Sequence, residues 1–524
     1  MADAGRVHVR TRIQDELCVE RVPDPCGVVL FGASGDLAAR KLVPSLFSLH
    51  RRRLLPKEFY VVGVARTPMS EDQFRARMRD ASQRHARGGA FDAGAWGDFE
   101  TRLHYHAGDY DAPGTYAGLS RVTKELDRWH GTPGHLLFYL STPPPLYPAI
   151  VERLAEAGLN GASGGRPVEG GWPWRRLVVE KPFGRDLATA RALNRTIARA
   201  FLEDQIYRID HYLGKDTVQN ILLLRFANTI FEPVWNRLYV DHVQILVAEA
   251  LGLEHRAGYY EEAGCLRDIF QNHMMQLLAI VAMEPPPTFE ADRVRDERAK
   301  VFRSVRPIVG NRVDEEVVRG QYGPGRTAKG EPLPGYRDEP GVRPGSTTDT
   351  FVAMRLAVDN SRWRGVPFYL RSGKRLPARA TEIAVQFKHV PHSLFNPLRP
   401  EDLAANLLVM RIQPDEGISL RFESKHPGPK LCLSSVMMEF DYVEAYGIEP
   451  PEAYERLFLD AMLGDQTLFA RQDEVDLCWG LLMPILERWD GRAPSFPNYD
   501  AGTWGPADAT RLLDRDGRAW RVPE

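Results

Sequence analysis

Cys26-Gly27-Val28-Val29-Leu30-Phe31-Gly32-Ala33-Ser34-Gly35-Asp36-Leu37-Ala38 decides how this chain begins to fold. Its first six residues are apolar without alternation, the composition of a parallel strand covered on both faces. Two glycines follow, and then Leu37, Leu42, Leu46 and Leu49 recur at near-helical spacing. Strand, glycine turn and helix in that order are the context of a dinucleotide loop, because glycine lets backbone approach a pyrophosphate held at the helix N-terminus. The spacing is GxxGDL rather than GxGxxG, so the flanking elements carry the argument.

Working outward, Phe59 to Ala65 reads as a second strand and ends at Arg66. Folds that bind NAD place a carboxylate near this point for the ribose 2′-hydroxyl; a guanidinium there suits a 2′-phosphate, so NADP is the expected cofactor. Further strands are expected at Leu136–Leu140 and Arg176–Glu180, with helical patterns around 70–86, 115–129 and 146–157. Strands alternating with helices make a parallel α/β sheet. Ser141-Thr142-Pro143-Pro144-Pro145 and Lys181-Pro182-Phe183-Gly184 close two of these strands, where open α/β sheets bind ligands, which makes Lys181 a candidate contact. The glycine-rich stretch Gly158 to Gly171 reads as a surface loop.

Arg208-Ile209-Asp210-His211-Tyr212-Leu213-Gly214-Lys215 packs acid, base, phenol and cation between an apolar run and the helical pattern of Val218, Ile221, Leu222 and Phe226. Neighbouring side chains diverge, so Asp210 and His211 can serve different parts of one ligand. With Lys215 at a helix N-terminus, the stretch reads as a phosphate site or as a solvated turn.

Past this point the pattern changes. Val243, Ile245 and Val247 alternate as in a strand, and period two places Glu249 on their face. Gly264 to Met283 reads as a helix whose apolar stripe includes His273, about 20° from Leu266 at ~100° per residue. A histidine there is a hydrogen-bonded core residue unless a carboxylate meets it. Strand-like runs at Thr350–Val358, Val366–Leu370, Ile383–Phe387, Asn406–Ile412 and Ile418–Phe422 lack crossover helices, which predicts a mainly antiparallel sheet. Helices are expected at Tyr454–Ala470 and Asp473–Leu486. The fold class is therefore α/β followed by α+β: a tail at 1–24, a Rossmann-like parallel-sheet domain at 25–205, and a larger domain with a mainly antiparallel sheet and helices at 206–524.

Composition narrows the partners. Sixty-eight Lys and Arg against 70 Asp and Glu leave a formal charge of −2 over 524 residues, so no global field recruits nucleic acid or an anionic membrane. The five cysteines show no CxxC pair and no metal-ligand spacing, so reduced thiols in a cytoplasm and no metal are expected. Met1 to Arg12 lacks an apolar core, and no run of about 18 apolar residues occurs, so neither secretion nor membrane spanning is expected.

GASGDLA, EKPFGRD, RIDHYLGK, RDIFQNH, PFYLRSGKRL and EAYERL occur in the order found in the glucose-6-phosphate dehydrogenase family, which the chain resembles from about Val28 to about Trp489. The resemblance implies oxidation of glucose 6-phosphate at C1 to the 6-phospho-lactone with hydride transfer to NADP. It implies His273 as general base and Asp210 as its partner. His211, Tyr212 and Lys215 would hold the phosphate, and Glu249, Asp268, Lys181 and Lys374 would fix the sugar, with Arg379 also matching a family substrate position. Gly32, Ala33, Ser34, Gly35, Asp36, Leu37, Arg66, Tyr147 and Lys181 would contact the cofactor. In a regular helix Asp268 lies about 140° from His273, so either the helix starts later or Asp268 does not face the same sugar. A second, structural NADP known in some members is not expected: Arg411, Gln413 and Arg421 suit it, but Ser419 and Ala380 replace a stacking tyrosine and a lysine. The expected partners are glucose 6-phosphate and further copies of the chain, as a homodimer or homotetramer.

Overall fold

The computed structural model describes residues 21–85, 91–161, 173–254, 256–447 and 451–523. Most of the expected N-terminal tail, and the Gly158–Gly171 loop beyond 161, lie outside them.

The apolar runs form strands as their patterns require. β1 (Cys26–Phe31), β2 (Phe59–Ala65), β3 (Leu103–Ala107), β4 (Leu136–Leu140), β5 (Arg175–Val179) and β6 (Ile206–Ile209) make a parallel sheet in the order β6-β5-β4-β1-β2-β3. Every residue of β1, β2 and β4 is buried, consistent with helices on both faces. The order reverses between β1 and β4, and the crevice for a ligand opens there, beyond the strands' C-terminal ends. β6, grouped above with the second domain, pairs with β5 inside this first sheet. A strand at Phe469–Ala470, in the segment expected to end the helix from Tyr454, adds antiparallel to β6; the helix itself stops at Leu463, with Gly464 in the left-handed conformation.

The second sheet contains β7 (Val240–Ala248), β8 (Val317–Gly320), β9 (Phe351–Ala357), β10 (Pro367–Gly373), β11 (Ala380–Phe387), β12 (Leu407–Gln413), β13 (Gly417–Lys425) and β14 (Leu433–Asp441). Their order is β14-β13-β12-β11-β7-β10-β9-β8. All pairs are antiparallel except β7 with β10, which run parallel and bring Glu249, just past β7, beside Gly373 and Lys374. β14 was not anticipated, since its half-exposed, polar sequence gives no clean alternation.

Between the sheets runs the segment expected as one helix from Gly264 to Met283. It is three elements: a helix to Cys265 broken at Gly264, a π-helix over Leu266–Met274, and an α-helix over Met275–Ala282. All eight residues of the last are buried, and one hydrophobic cluster joins them to β7 and to the helix after the glycine loop. The catalytic candidates thus hang from the core itself. No helix among the described residues is long and apolar enough to cross a membrane.

Candidate active site

β6 delivers Asp210 at its C-terminal end, 2 % exposed, and the chain then turns before helix Asp216–Phe226. Asp210 Oδ1 accepts from Tyr212 N at 3.0 Å and from His273 Nδ1 at 2.5 Å, so the buried histidine does meet a carboxylate. Because a carboxylate only accepts, Nδ1 carries the proton and Nε2 keeps its lone pair. The Lys181 ammonium donates to that Nε2 at 2.8 Å. His211 meets His273 from another side, ring to ring at 4.6 Å and nearly perpendicular, and it also adjoins the Tyr212 ring at 5.1 Å and the stacked ring of Tyr454 at 6.5 Å. The expected divergence of Asp210 and His211 is therefore partial: both adjoin the imidazole, one in its plane and one across it.

The π-helix settles the placement of Asp268. Its i→i+5 hydrogen bonds set residues five apart over one another, so Asp268 and His273 share a face that a regular α-helix would deny them. Lys181 Nζ touches both, reaching Asp268 O at 3.1 Å and Oδ1 at 3.3 Å. The regular wheel itself does not apply, since the π-helix already runs through Asp268 and carries it onto the face of His273. The π-helix begins where Asp349 Oδ2 accepts from Leu266 N at 2.9 Å, and Gly264 (φ +63°) makes the kink that allows it.

A second group gathers cations. Lys215 Nζ and Arg379 Nη2 both donate to Gln413 Oε1, at 2.7 and 3.2 Å, and Gln413 Nε2 donates to Thr381 Oγ1 and Tyr212 OH. The amide oxygen thus occupies the point where two cations converge, a position suited to a phosphate oxygen. Gln413 was not among the expected substrate residues; it stands 198 positions from Lys215, and nothing local in the sequence joins them. Tyr212 bridges the groups, its ring stacked on His273 at 4.3 Å. At the third corner Lys374 Nζ donates to Glu249 Oε2 at 2.8 Å.

On the first sheet, Gly32 (φ +87°) closes against the end of β4, where an added Cβ would come within 2.7 Å of Ser141 O. Gly35 N donates to Gly32 O at 2.8 Å, and beyond that carbonyl the space around Gly35 is open. An open glycine turn leading into a helix N-terminus through Ala33, Ser34, Asp36 and Leu37 fits a dinucleotide pyrophosphate. Arg66 is exposed beside it, with its guanidinium 5.8 Å from the Tyr110 ring centre. Tyr147, by contrast, is fully buried and gives its hydroxyl to Glu180 O at 3.2 Å, so it supports the strand end that carries Lys181. A mostly apolar cavity of about 600 Å³ lined by Pro143, Pro144, Pro182 and Tyr259 opens at the ends of β4 and β5.

Burial sets the charges. It would raise the Asp210 carboxyl, but the charge and hydrogen bond of His273, with His211, bring it to about 2. Burial depresses His273 below the usual imidazole value, opposed by Asp210, and depresses His211 further with the help of His273 and Lys181. Burial opposes ionisation of Asp268, yet Lys181, Arg256 and Lys374 hold it well below the ordinary carboxylate range. Asp210, His211 and His273 present ligand atoms within 4.8 Å of one another, the one such group among the described residues. The Lys181 ammonium on His273 Nε2 places a positive charge where a metal ion would have to sit.

A dinucleotide-type sheet whose strand ends feed a buried histidine–aspartate pair is the arrangement of a nicotinamide-dependent dehydrogenase. Two family models cover nearly the whole chain: glucose-6-phosphate dehydrogenase, NAD binding domain, over residues 29–220, and glucose-6-phosphate dehydrogenase, C-terminal domain, over 222–521. Glucose-6-phosphate 1-dehydrogenase of Aggregatibacter actinomycetemcomitans is 48 % identical over 502 residues, 95 % of this chain and 97 % of that one. The Chlamydia muridarum enzyme of the same name is 46 % identical over 501 residues, with the same coverage. Among solved structures, a glucose-6-phosphate dehydrogenase in complex with its substrate glucose 6-phosphate superposes with a TM-score of 0.85 at 35 % identity, covering 95 % of this chain and 99 % of that one. The chain belongs to the glucose-6-phosphate dehydrogenase family.

Proposed function

We propose that this enzyme oxidises glucose 6-phosphate at C1 to 6-phospho-glucono-1,5-lactone with NADP as hydride acceptor. The observation that carries the reading is the buried Asp210–His273 pair, whose unprotonated Nε2 faces away from the carboxylate and accepts from Lys181, a contact that the C1 hydroxyl would take over. His273 Nε2 takes the C1 hydroxyl proton while Asp210 holds the ring's orientation and stabilises the imidazolium formed. Losing that proton makes departure of the C1 hydride easier. NADP supplies the acceptor carbon when bound. Lys215, Arg379, His211, Tyr212 and Gln413 hold the phosphate, with His211 as a neutral N–H donor and the two cations displaced from the Gln413 oxygen onto phosphate oxygens. Lys181, Asp268, Glu249 and Lys374 fix the sugar. Arg66 supports NADP over NAD, and cytoplasmic homodimers or homotetramers remain part of this reading.

The test is absorbance at the reduced-nicotinamide band with glucose 6-phosphate or glucose, and with NADP or NAD. Turnover of glucose 6-phosphate should exceed that of glucose by at least ~10²-fold in kcat/KM, as expected when several charge-assisted phosphate contacts are lost. Equal values would remove the role given to Lys215 and Arg379.

A further inference from the structure

The helix after β2, Glu71–His85, carries a basic side chain into the cofactor loop: Arg77 Nη2 donates to the carbonyl oxygen of Ser34 at 2.6 Å. Ser34 is also approached from the end of β2, where Thr67 Oγ1 lies 3.4 Å from its hydroxyl, next in sequence to Arg66. Arg77 and Thr67 therefore meet at one loop residue, and the two arginines beside that contact, Arg66 over Tyr110 and Arg77 tied to Ser34, are both exposed. Neither has an ion-pair partner among the described residues. Arg77 also lines a cavity of about 290 Å³ together with Arg40, Arg84 and His85, with Asp36 as its one carboxylate. One N–H of Arg77 is spent on the carbonyl; a guanidinium has five, in a rigid fork matched to phosphate. A side chain already anchored by one bond loses less freedom on taking a second partner.

We propose that Arg77 is a specificity-determining residue that, with Arg66, forms a two-guanidinium clamp for the phosphate on the adenosine 2′-oxygen. The proposal rests on the NADP reading above and names the residue, drawn from the helix and not from the strand end, that completes it. Were Arg77 only a brace for the loop, its loss would weaken every adenine nucleotide alike, because the turn that cradles the pyrophosphate would loosen.

Titration calorimetry of the full chain with 2′,5′-ADP and with 5′-AMP separates these cases, for the wild type, Arg77→Gln and Arg77→Lys. The expected result is a loss of ~10-fold or more in affinity for 2′,5′-ADP in Arg77→Gln, the scale of one lost charge-assisted contact, with 5′-AMP changed less than ~3-fold. Arg77→Lys should recover part of the loss, and the wild-type preference should shrink with rising salt. Wild-type protein that binds both nucleotides equally overturns the NADP reading and the clamp together. A wild-type preference for 2′,5′-ADP that Arg77→Gln leaves intact, or loses equally for both nucleotides, overturns the clamp alone and leaves Arg66 as the reader.

Discussion

At the residue scale the proposed chemistry turns on one imidazole. His273 is useful because burial and Asp210 pull its proton affinity in opposite directions, burial downward and the carboxylate upward. Burial wins, so the ring is neutral and able to accept a proton throughout the neutral range. The acid limb of kcat/KM should therefore fall below the ordinary imidazole value, activity being lost only as pH drops through the depressed value and His273 becomes charged. Asp210→Asn removes the upward pull, so the limb should move to still lower pH while kcat falls by about 10²-fold or more, because the ring also loses its orienting acceptor. A pH–rate profile of the variant checks both, and a limb that moves upward would contradict the assignment. The sequence placed Asp210 and His273 as candidates, and the family blocks paired them. It marked Gln413 only for a structural NADP site and not for this group, where it holds two cations 34 and 198 positions away along the chain.

At the scale of elements, the two π-helical segments among the described residues fall at the two candidate sites, for cofactor and for substrate. One, Ala38–Leu42, follows the glycine loop, and the other, Leu266–Met274, carries Asp268 and His273. The irregular ladder costs hydrogen-bond quality and gains a phase that ordinary helix geometry does not offer. Periodicity at ~100° per residue could not reveal it, since the sequence reads as a continuous amphipathic helix and the change of phase is imposed from outside. Asp349 caps the new start, and Gly264 makes room for it: an added Cβ would stand 2.5 Å from Asp349 Oδ1. Gly264→Ala is expected to cost about 1–3 kcal/mol, the scale of a residue forced into the left-handed region, and to lower kcat as His273 shifts. Denaturant unfolding monitored by circular dichroism, alongside steady-state rates, measures the two effects; an unchanged midpoint would show that the kink is not needed.

Across the whole molecule, the last residues act as a strap on the second sheet. Arg518 pairs with Asp241 through two guanidinium nitrogens, Arg521 pairs with Glu382, and Arg521 O accepts from the buried Arg371. Arg371 lies between the rings of Trp504 and Trp520, at 5.1 and 4.6 Å. These contacts hold β7 and β10, which lead into Glu249 and Lys374, and β11, which starts at Ala380 beside Thr381. A chain ending at Asp514 would leave Arg371 buried with half its stack, so its melting temperature should fall by several degrees, the effect of stranding a buried charge. Differential scanning fluorimetry checks this, and an unshifted transition would remove the strap's structural role. The sequence by itself determined the Rossmann-like half and the antiparallel character of the second sheet, and it named most of the residues that the proposed chemistry uses, because period-two and apolar runs, glycine turns and family blocks are local signals. Only the tertiary structure decided that β6 and Phe469–Ala470 join the first sheet, that β7 and β10 run parallel, that Asp268 faces with His273, and that Gln413 completes the cation pair. Each of these joins segments tens to hundreds of residues apart or bends a helix by outside contacts, and such pairings are selected by the packing of the whole chain rather than written in any one stretch of it.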